Sequence, residues 1–385
     1  MKARGRFLTR PGRQRDRFRH TLARLLAEAD VEIGGDRPWD IQVHNEGVYA
    51  RWLAGGSLGV GESYMDGWWD CLCFDECAHR ILLAEVDRSV TPWAELLDLL
   101  KAKLFNLQSF SRASRANTRH YNIGNKLYRL MLGERLIYSC AYWKEAATLD
   151  EAQEAKLQLV CQKLGLKPGM RVLDIGCGWG GAAKFAAERY GVEVVGITVS
   201  EAQARFAQEF CRGLAVDIRL QDYRSLREPF DRIFSLGMLE HVGYKNYPTF
   251  MRMVRGCLKD DDGLFVLQTI GSNRSVVKND PWAERYVFPN SMLPSATQIS
   301  AAAEGLFVIE DWHNFGADYD RTLMQWFRNF DDHWEALSDD YDERFYRMWK
   351  YYLLSFAGTF RARRNQLWQI VLSPKGVLGG YSAPR

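Results

Sequence analysis

The sequence predicts an α/β fold, a domain of alternating strands and helices preceded by a smaller, mainly helical N-terminal domain. Three observations lead there. From Leu149 onward the patterns take turns: a helix over Leu149 to Leu164, a strand RVLDIG, a helix from Gly181 to Tyr190, a strand VEVVGIT, a helix from Ser200 to Cys211 and a strand near VDIRLQD. Such alternation calls for right-handed βαβ units and a sheet with helices on both faces. The second observation is a glycine-rich turn, Gly176-Cys177-Gly178-Trp179-Gly180-Gly181, which closes an apolar strand and opens a helix. The third is the contrast with the first 95 or so residues, which read as short helices and loops around the aromatic, glycine-punctuated stretch GGSLGVGESYMDGWWD and an amphipathic segment from Phe74 to Val86.

At 385 residues the chain exceeds one core of ordinary size, so two domains are expected. Charged residues at 26% and hydrophobics at 47% are globular values. No apolar run approaches the roughly 18 residues of a membrane-spanning helix. The opening residues lack the apolar segment of a secretory signal, which predicts a cytoplasmic protein. Eight cysteines without framework spacing suit reduced thiols. A net charge of +3 is too small to predict a nucleic-acid partner, yet Arg4, Arg6, Arg10, Arg13, Arg15, Arg17 and Arg19 crowd one end. That basic arm, residues 1–22, is open to three readings: a solvated tail, a segment drawn to anionic headgroups at about 1 kcal/mol per basic residue near the surface, or an organelle transit peptide. A small domain follows over 23–95, a basic, serine-bearing linker over 96–119, and the sheet domain over 120–385. Cys71, Cys73, Cys77 and His79 raise the question of zinc, but a single cluster without paired knuckles reads better as small buried hydrophobes, and no metal is expected.

Ligands of open α/β sheets collect at the carboxyl ends of the strands, where glycines let backbone approach them closely. A dinucleotide site needs an acid ending the second strand. Here that strand ends in Gly196-Ile197-Thr198-Val199-Ser200, and the acids stand elsewhere: Asp174 before the first glycine, and Asp222, paired with Tyr223, after the third strand. This arrangement resembles the Rossmann-like class I methyltransferases, which implies S-adenosylmethionine as cofactor. By that resemblance Gly176 and Gly178, with Asp174 and Cys177 in the same turn, line its methionine part. Thr198 and Gln203 face its ribose, Asp222 beside Tyr223 meets the adenine amino group, and Tyr138 and Ser139 close over the sulfonium.

A more specific likeness runs from about Val31 to the C-terminus. The segments GSLGVGESYMDGWWD, YSCAYWK, LKPGMRVLDIGCGWGG, EHVG, DPWAERYVFPN, EDWHNFGADYD and FRARRNQLWQ resemble, in order, those of bacterial cyclopropane fatty acid synthases. The resemblance implies methylene transfer to cis double bonds of membrane phospholipids, a lipid-binding role for 23–95, a homodimer, and peripheral attachment to the inner face of the membrane. The chemistry sets its own demands. An isolated alkene is a weak nucleophile, so the sulfonium must be held in line away from water, and a base must then remove a proton so that the ring closes. In the family a bound bicarbonate serves as that base. Its holders here would be Glu240, Tyr319 and the backbone amides of Cys140 and Ile270. Where relatives carry a histidine in a string like LHTIG, this chain has Gln268, which can donate a hydrogen bond but cannot carry charge or relay a proton. A like charge beside Glu240 would raise its pKa. Phe356 stands where some relatives have cysteine, which excludes a thiol nucleophile. His241 and His313 read as packing residues. Tyr142-Trp143, Trp282 to Phe288 and Tyr346 to Phe360 supply an aromatic wall, and the spacing of Phe345, Trp349, Tyr352 and Phe356 marks one helix face. Two rival outcomes remain at this stage: a methyl-branched product, or a lipid-binding relative without turnover.

Overall fold

The computed structural model describes residues 11–89 and 124–385; Arg4, Arg6 and Arg10 of the basic arm and the linker at 96–119 lie outside the described residues. In the small domain, strands β1 (Gln42–Val43) and β2 (Trp69–Asp70) pair antiparallel beside helices Pro11–Ala27, Val48–Met65 and Phe74–Leu83. Trp69 anchors this unit. Its ring lies edge-on to Trp52, Tyr64 and Phe74 at centroid separations of 5.4, 5.1 and 5.6 Å, the favoured geometry for aromatic pairs. The first helix runs unbroken through position 22, where the sequence reading ends its basic arm, because Leu22 and Leu26 on one face are buried.

The large domain holds a seven-stranded sheet of β3 (Arg171–Ile175), β4 (Glu193–Thr198), β5 (Val216–Leu220), β6 (Arg232–Leu236), β7 (Leu264–Ser272), β8 (Val308–Asn314) and β9 (Asn365–Ser373), in the order β5-β4-β3-β6-β7-β9-β8. β9 runs antiparallel to both neighbours, and the pairs from β5 through β7 are parallel. The order reverses beside β3, so the crevice at its carboxyl end faces the glycine-rich turn. Local chemistry sets the helix ends. Thr148 and Glu151 form a reciprocal capping box at the start of the Leu149–Leu164 helix, and Gly165, at φ 59°, ends it in the left-handed conformation.

The small domain does not stand apart from the sheet domain. Its buried residues belong to one continuous apolar interior with Tyr319, Trp326, Trp349, Tyr352 and Phe360. The long helix Glu343–Arg361 makes the join by packing on Phe74–Leu83. A Cβ at Gly358 would fall 2.8 Å from the Asp75 carbonyl oxygen and 2.8 Å from the His79 nitrogen, so only glycine allows this approach. Among the described residues, no helix is long and apolar enough to cross a membrane, and no cluster of three metal-ligating side chains occurs. Cys71 instead donates a weak hydrogen bond to the Pro38 carbonyl.

Candidate functional site

Two cavities meet beyond the carboxyl ends of β3 and β6. The first is a cleft over the glycine-rich turn, whose Gly176, Gly178 and Gly180 take φ of 84°, 54° and 86°, values that L residues with a Cβ rarely adopt. Tyr138, Ser139, Asp174, Gly176, Cys177, Gly178, Thr198, Gln203, Asp222 and Tyr223 all line it. Thr198 donates to Gln203 Oε1 at 3.0 Å, and Asp222 is held by the Arg224 amide at 2.9 Å. Ser200 caps the Glu201–Phe210 helix and accepts from the Gln203 amide, so that helix's first turn presents Gln203 to the cleft.

Beneath the cleft lies a charge that the sequence reading missed. Lys156 is fully buried in the Leu149–Leu164 helix and donates to Ser139 Oγ at 3.0 Å. Burial depresses its pKa to about 7 and lifts that of Asp174 to about 8. Their mutual attraction opposes both shifts, and for both groups desolvation wins. Asp174 Oδ2 has no hydrogen-bond partner within the protein.

The second cavity is a channel of about 1280 Å³ that runs between the domains. Apolar side chains form much of its wall, Trp52, Val60 and Phe74 from the small domain and Trp282, Phe288, Tyr352, Phe356 and Phe360 from the large one, while Asn273, Arg274, Lys278, Arg363 and Arg364 form a polar part. The Glu343–Arg361 helix therefore divides its aromatic face, with Trp349 in the core and Tyr352 and Phe356 facing the channel. Tyr142 and Trp143, expected in this wall, pack elsewhere: Tyr142 meets His313 and Phe315 edge-on, and the Trp143 indole donates to Thr322 at 2.9 Å. Tyr138, Ser139, Gly237 and His241 line both cavities, so the cleft opens directly into the channel.

Glu240, Gln268, Ile270 and Tyr319 converge on that channel. Glu240 follows β6 in a single helical turn, and its Oε1 accepts from the Ile270 amide at 2.7 Å. That amide, expected to hold an anion directly, here holds the carboxylate. Glu240 Oε2 is buried without a partner. Burial raises the Glu240 pKa to about 7, so the expected upward shift has desolvation as its cause and needs no neighbouring charge. Tyr319 stacks on Phe360 at 4.4 Å and meets Trp326 edge-on at 6.1 Å. Gln268 accepts through Oε1 from Gln369 Nε2 at 2.9 Å, and its own Nε2 has no partner within the protein.

Cys140 sits outside the channel wall. Its fully buried thiol donates to the Ala141 carbonyl at 3.2 Å, and burial pushes its pKa far up, so it packs and does not react. His241 is the opposite case. The sequence reading sets it aside as packing, yet it faces both cavities, and desolvation lowers its pKa to about 4, leaving it neutral at physiological pH. No local signal marks His241, because direction after a strand end depends on the turn and not on residue type.

Residues 108–370 match the family described as mycolic acid cyclopropane synthetase. The cyclopropane-fatty-acyl-phospholipid synthase of Escherichia coli K12 is 51% identical over 362 residues, which cover 94% of this chain and 94% of that protein. Among solved structures, mycolic acid cyclopropane synthase CmaA1, in complex with SAH and CTAB, superposes with a TM-score of 0.62 at 30% identity, covering 67% of this chain and 97% of the other. Coclaurine N-methyltransferase shares the fold alone, at 22% identity and a TM-score of 0.66 over 82% of this chain and 98% of its own.

Proposed function

Since this chain belongs to the mycolic acid cyclopropane synthetase family, we propose that it transfers a methylene group from S-adenosylmethionine to the cis double bond of unsaturated acyl chains in membrane phospholipids. It is a methyltransferase by family and by fold. The observation that carries the reading is the junction of the cleft over the glycine-rich turn with a large, mainly apolar channel across Tyr138, Ser139, Gly237 and His241. When bound, S-adenosylmethionine supplies the electrophilic methyl carbon, and bicarbonate supplies the base that takes up the proton released on ring closure.

The residues present suit both groups. The cleft offers a carboxylate at each end, Asp174 and Asp222, with close backbone between them. Among the buried polar atoms of the channel lining that lack protein partners are a donor, Gln268 Nε2, and an acceptor, Glu240 Oε2. A singly protonated oxyanion presents the complementary acceptor and donor, which accounts for an anion being tolerated beside Glu240 without a histidine. The aromatic wall of Tyr352, Phe356 and Phe360 keeps water from a cationic centre, and a ring face meeting that centre contributes about 0.5 to 2 kcal/mol. Purified protein incubated with S-adenosylmethionine and vesicles of monounsaturated phosphatidylethanolamine should yield acyl chains heavier by one CH2 with loss of vinylic proton signals. A methyl-branched or methylene product would sink the ring-closing assignment, and cofactor binding without turnover would sink the enzymatic one.

Cofactor affinity should depend on pH through Asp174. With its pKa near 8, this carboxyl is largely protonated at pH 7 and ionised at pH 9. A cationic ligand binds the ionised form better, so affinity should rise through that interval, and binding at pH 7 should release protons. Calorimetry in buffers of different ionisation enthalpy measures the release; Asp174→Asn should diminish it, leaving what Lys156, with its pKa near 7, contributes.

Peripheral attachment to the inner face of the membrane belongs to the same reading. Leu83, 63% exposed, lines the channel, as does Arg274, and Leu72 of the same small domain is 83% exposed. Leu83→Asp is expected to weaken binding to anionic vesicles and to reduce turnover on them about tenfold, for the loss of about 1.5 kcal/mol of apolar insertion, while cofactor affinity stays unchanged. Assembly as a homodimer also belongs here and is checked by sedimentation.

A further inference from the structure

We propose that Gln369 is a positioning residue: by engaging the carbonyl of Gln268 across the sheet, it fixes the Gln268 amide with its N–H facing the channel, as a donor to the anion held there. The proposal rests on the bicarbonate reading above and adds a residue to it that does not line the channel.

β7 and β9 are antiparallel, and their register puts Gln268 directly opposite Gln369. Residues so paired project from the same face of a sheet. Both side chains are completely buried, where an amide seeks partners for its oxygen and its nitrogen alike. Gln369 Nε2 donates to Gln268 Oε1 at 2.9 Å, which consumes the acceptor end of Gln268 and leaves Nε2 as the end without a protein partner. Gln268 lines the channel with Glu240 and Ile270. Ile270 projects from the same face of β7, two residues on, and its amide holds the Glu240 carboxylate at 2.7 Å. Turning both glutamine amides over would aim the Gln268 oxygen at this carboxylate's side of the channel, setting two acceptors toward each other whenever Glu240 is ionised. The orientation with the donor forward is therefore the favoured one, and Gln369 maintains it. Where an imidazole would choose its own tautomer, an amide needs a neighbour to decide which end it presents.

The test uses the full chain on vesicles of monounsaturated phospholipid in buffer stripped of carbon dioxide, with bicarbonate added back. Gln369→Met keeps the volume and removes the donor; it should raise the bicarbonate concentration for half-maximal activity about tenfold, the cost of one misdirected buried hydrogen bond. The S-adenosylmethionine KM should not move. Gln369→Glu accepts instead of donating, draws the Gln268 N–H toward itself, and should raise that concentration further. In a Gln268→Leu background neither change should add anything, because the amide they orient is gone. If Gln369→Met folds, by its thermal transition, and its bicarbonate response matches that of the parent, or if its effect multiplies with that of Gln268→Leu, the proposal is overturned while the base assignment survives. A parent enzyme indifferent to bicarbonate overturns both.

Discussion

Glu240→Gln should lower turnover on monounsaturated vesicles by about two to three orders of magnitude, the usual contribution of a positioned acid or base. Cofactor affinity should stay as it was, because Glu240 lines the channel and is absent from the cleft. Glutamine keeps the acceptor that the Ile270 amide holds at 2.7 Å but cannot ionise. The same change has an opposite effect on stability, and the sign follows from burial. The folded protein lifts the Glu240 pKa to about 7 from an unfolded value near 4.5. A raised pKa means that the folded state holds its proton more tightly, so this contribution is complete below the unfolded pKa and is lost as pH climbs through about 7. Glu240→Gln escapes that loss. Its advantage over the parent should be under about 1 kcal/mol at pH 5 and reach about 3 kcal/mol at pH 8. Thermal scans at the two pH values check this without any substrate. A variant with parental activity would remove Glu240 from the base site; a stability difference independent of pH would mean that the carboxyl is solvated in the folded chain.

The parts of this architecture that depend on neighbours in sequence were legible from the sequence, and the parts that depend on neighbours in space were not. The helix from Leu149 to Leu164 ends where expected because its signals are local, Thr148 and Glu151 at one end and Gly165 at the other. The cleft was legible for the same reason: a strand, a glycine turn and an acid after the third strand occur in fixed order, and all the residues assigned to it line it. β9, by contrast, inserts antiparallel between β7 and β8, and alternation of strand and helix carries no trace of that. Without this insertion Gln268 and Gln369, a hundred residues apart, would never meet. Lys156 lies in a helix with charged neighbours and reads as one more solvated lysine; only the loop at Ser139 folding over it makes it buried. Cys140 is absent from the channel lining, and the direction of its backbone amide is a property of the loop that residue type does not carry. The channel itself is built from two domains, so no single segment announces it.

Arg361→Ala should uncouple those two domains. Arg361 is the last residue of the long helix Glu343–Arg361, and it gathers three carboxylates: Asp320 through Nε and Nη2 at 2.9 and 3.0 Å, Asp75 at 2.8 Å and Glu76 at 3.3 Å. Asp75 and Glu76 open the small domain's Phe74–Leu83 helix, whereas Asp320 directly follows Tyr319. Phe360, just before the arginine, stacks on Tyr319 at 4.4 Å. One guanidinium thus ties the seating of the small domain to the placement of the channel tyrosine. These acids are 17–29% exposed at the side chain, so the pairing is partly screened. Removal of the arginine still leaves the three negative charges facing one another, at a cost of about 2 kcal/mol. The melting transition should fall, and turnover on vesicles should drop about tenfold as the channel wall loosens, with cofactor affinity unaffected. Arg361→Lys should recover part of the stability and little of the turnover, because a single ammonium cannot reproduce the two-pronged hold on Asp320. The Asp75→Ala and Arg361→Ala changes share this contact, so their stability effects should fall short of additivity. Full additivity, or an Arg361→Ala enzyme that turns over at the parental rate, would mean that the two domains hold the channel in register by apolar packing alone.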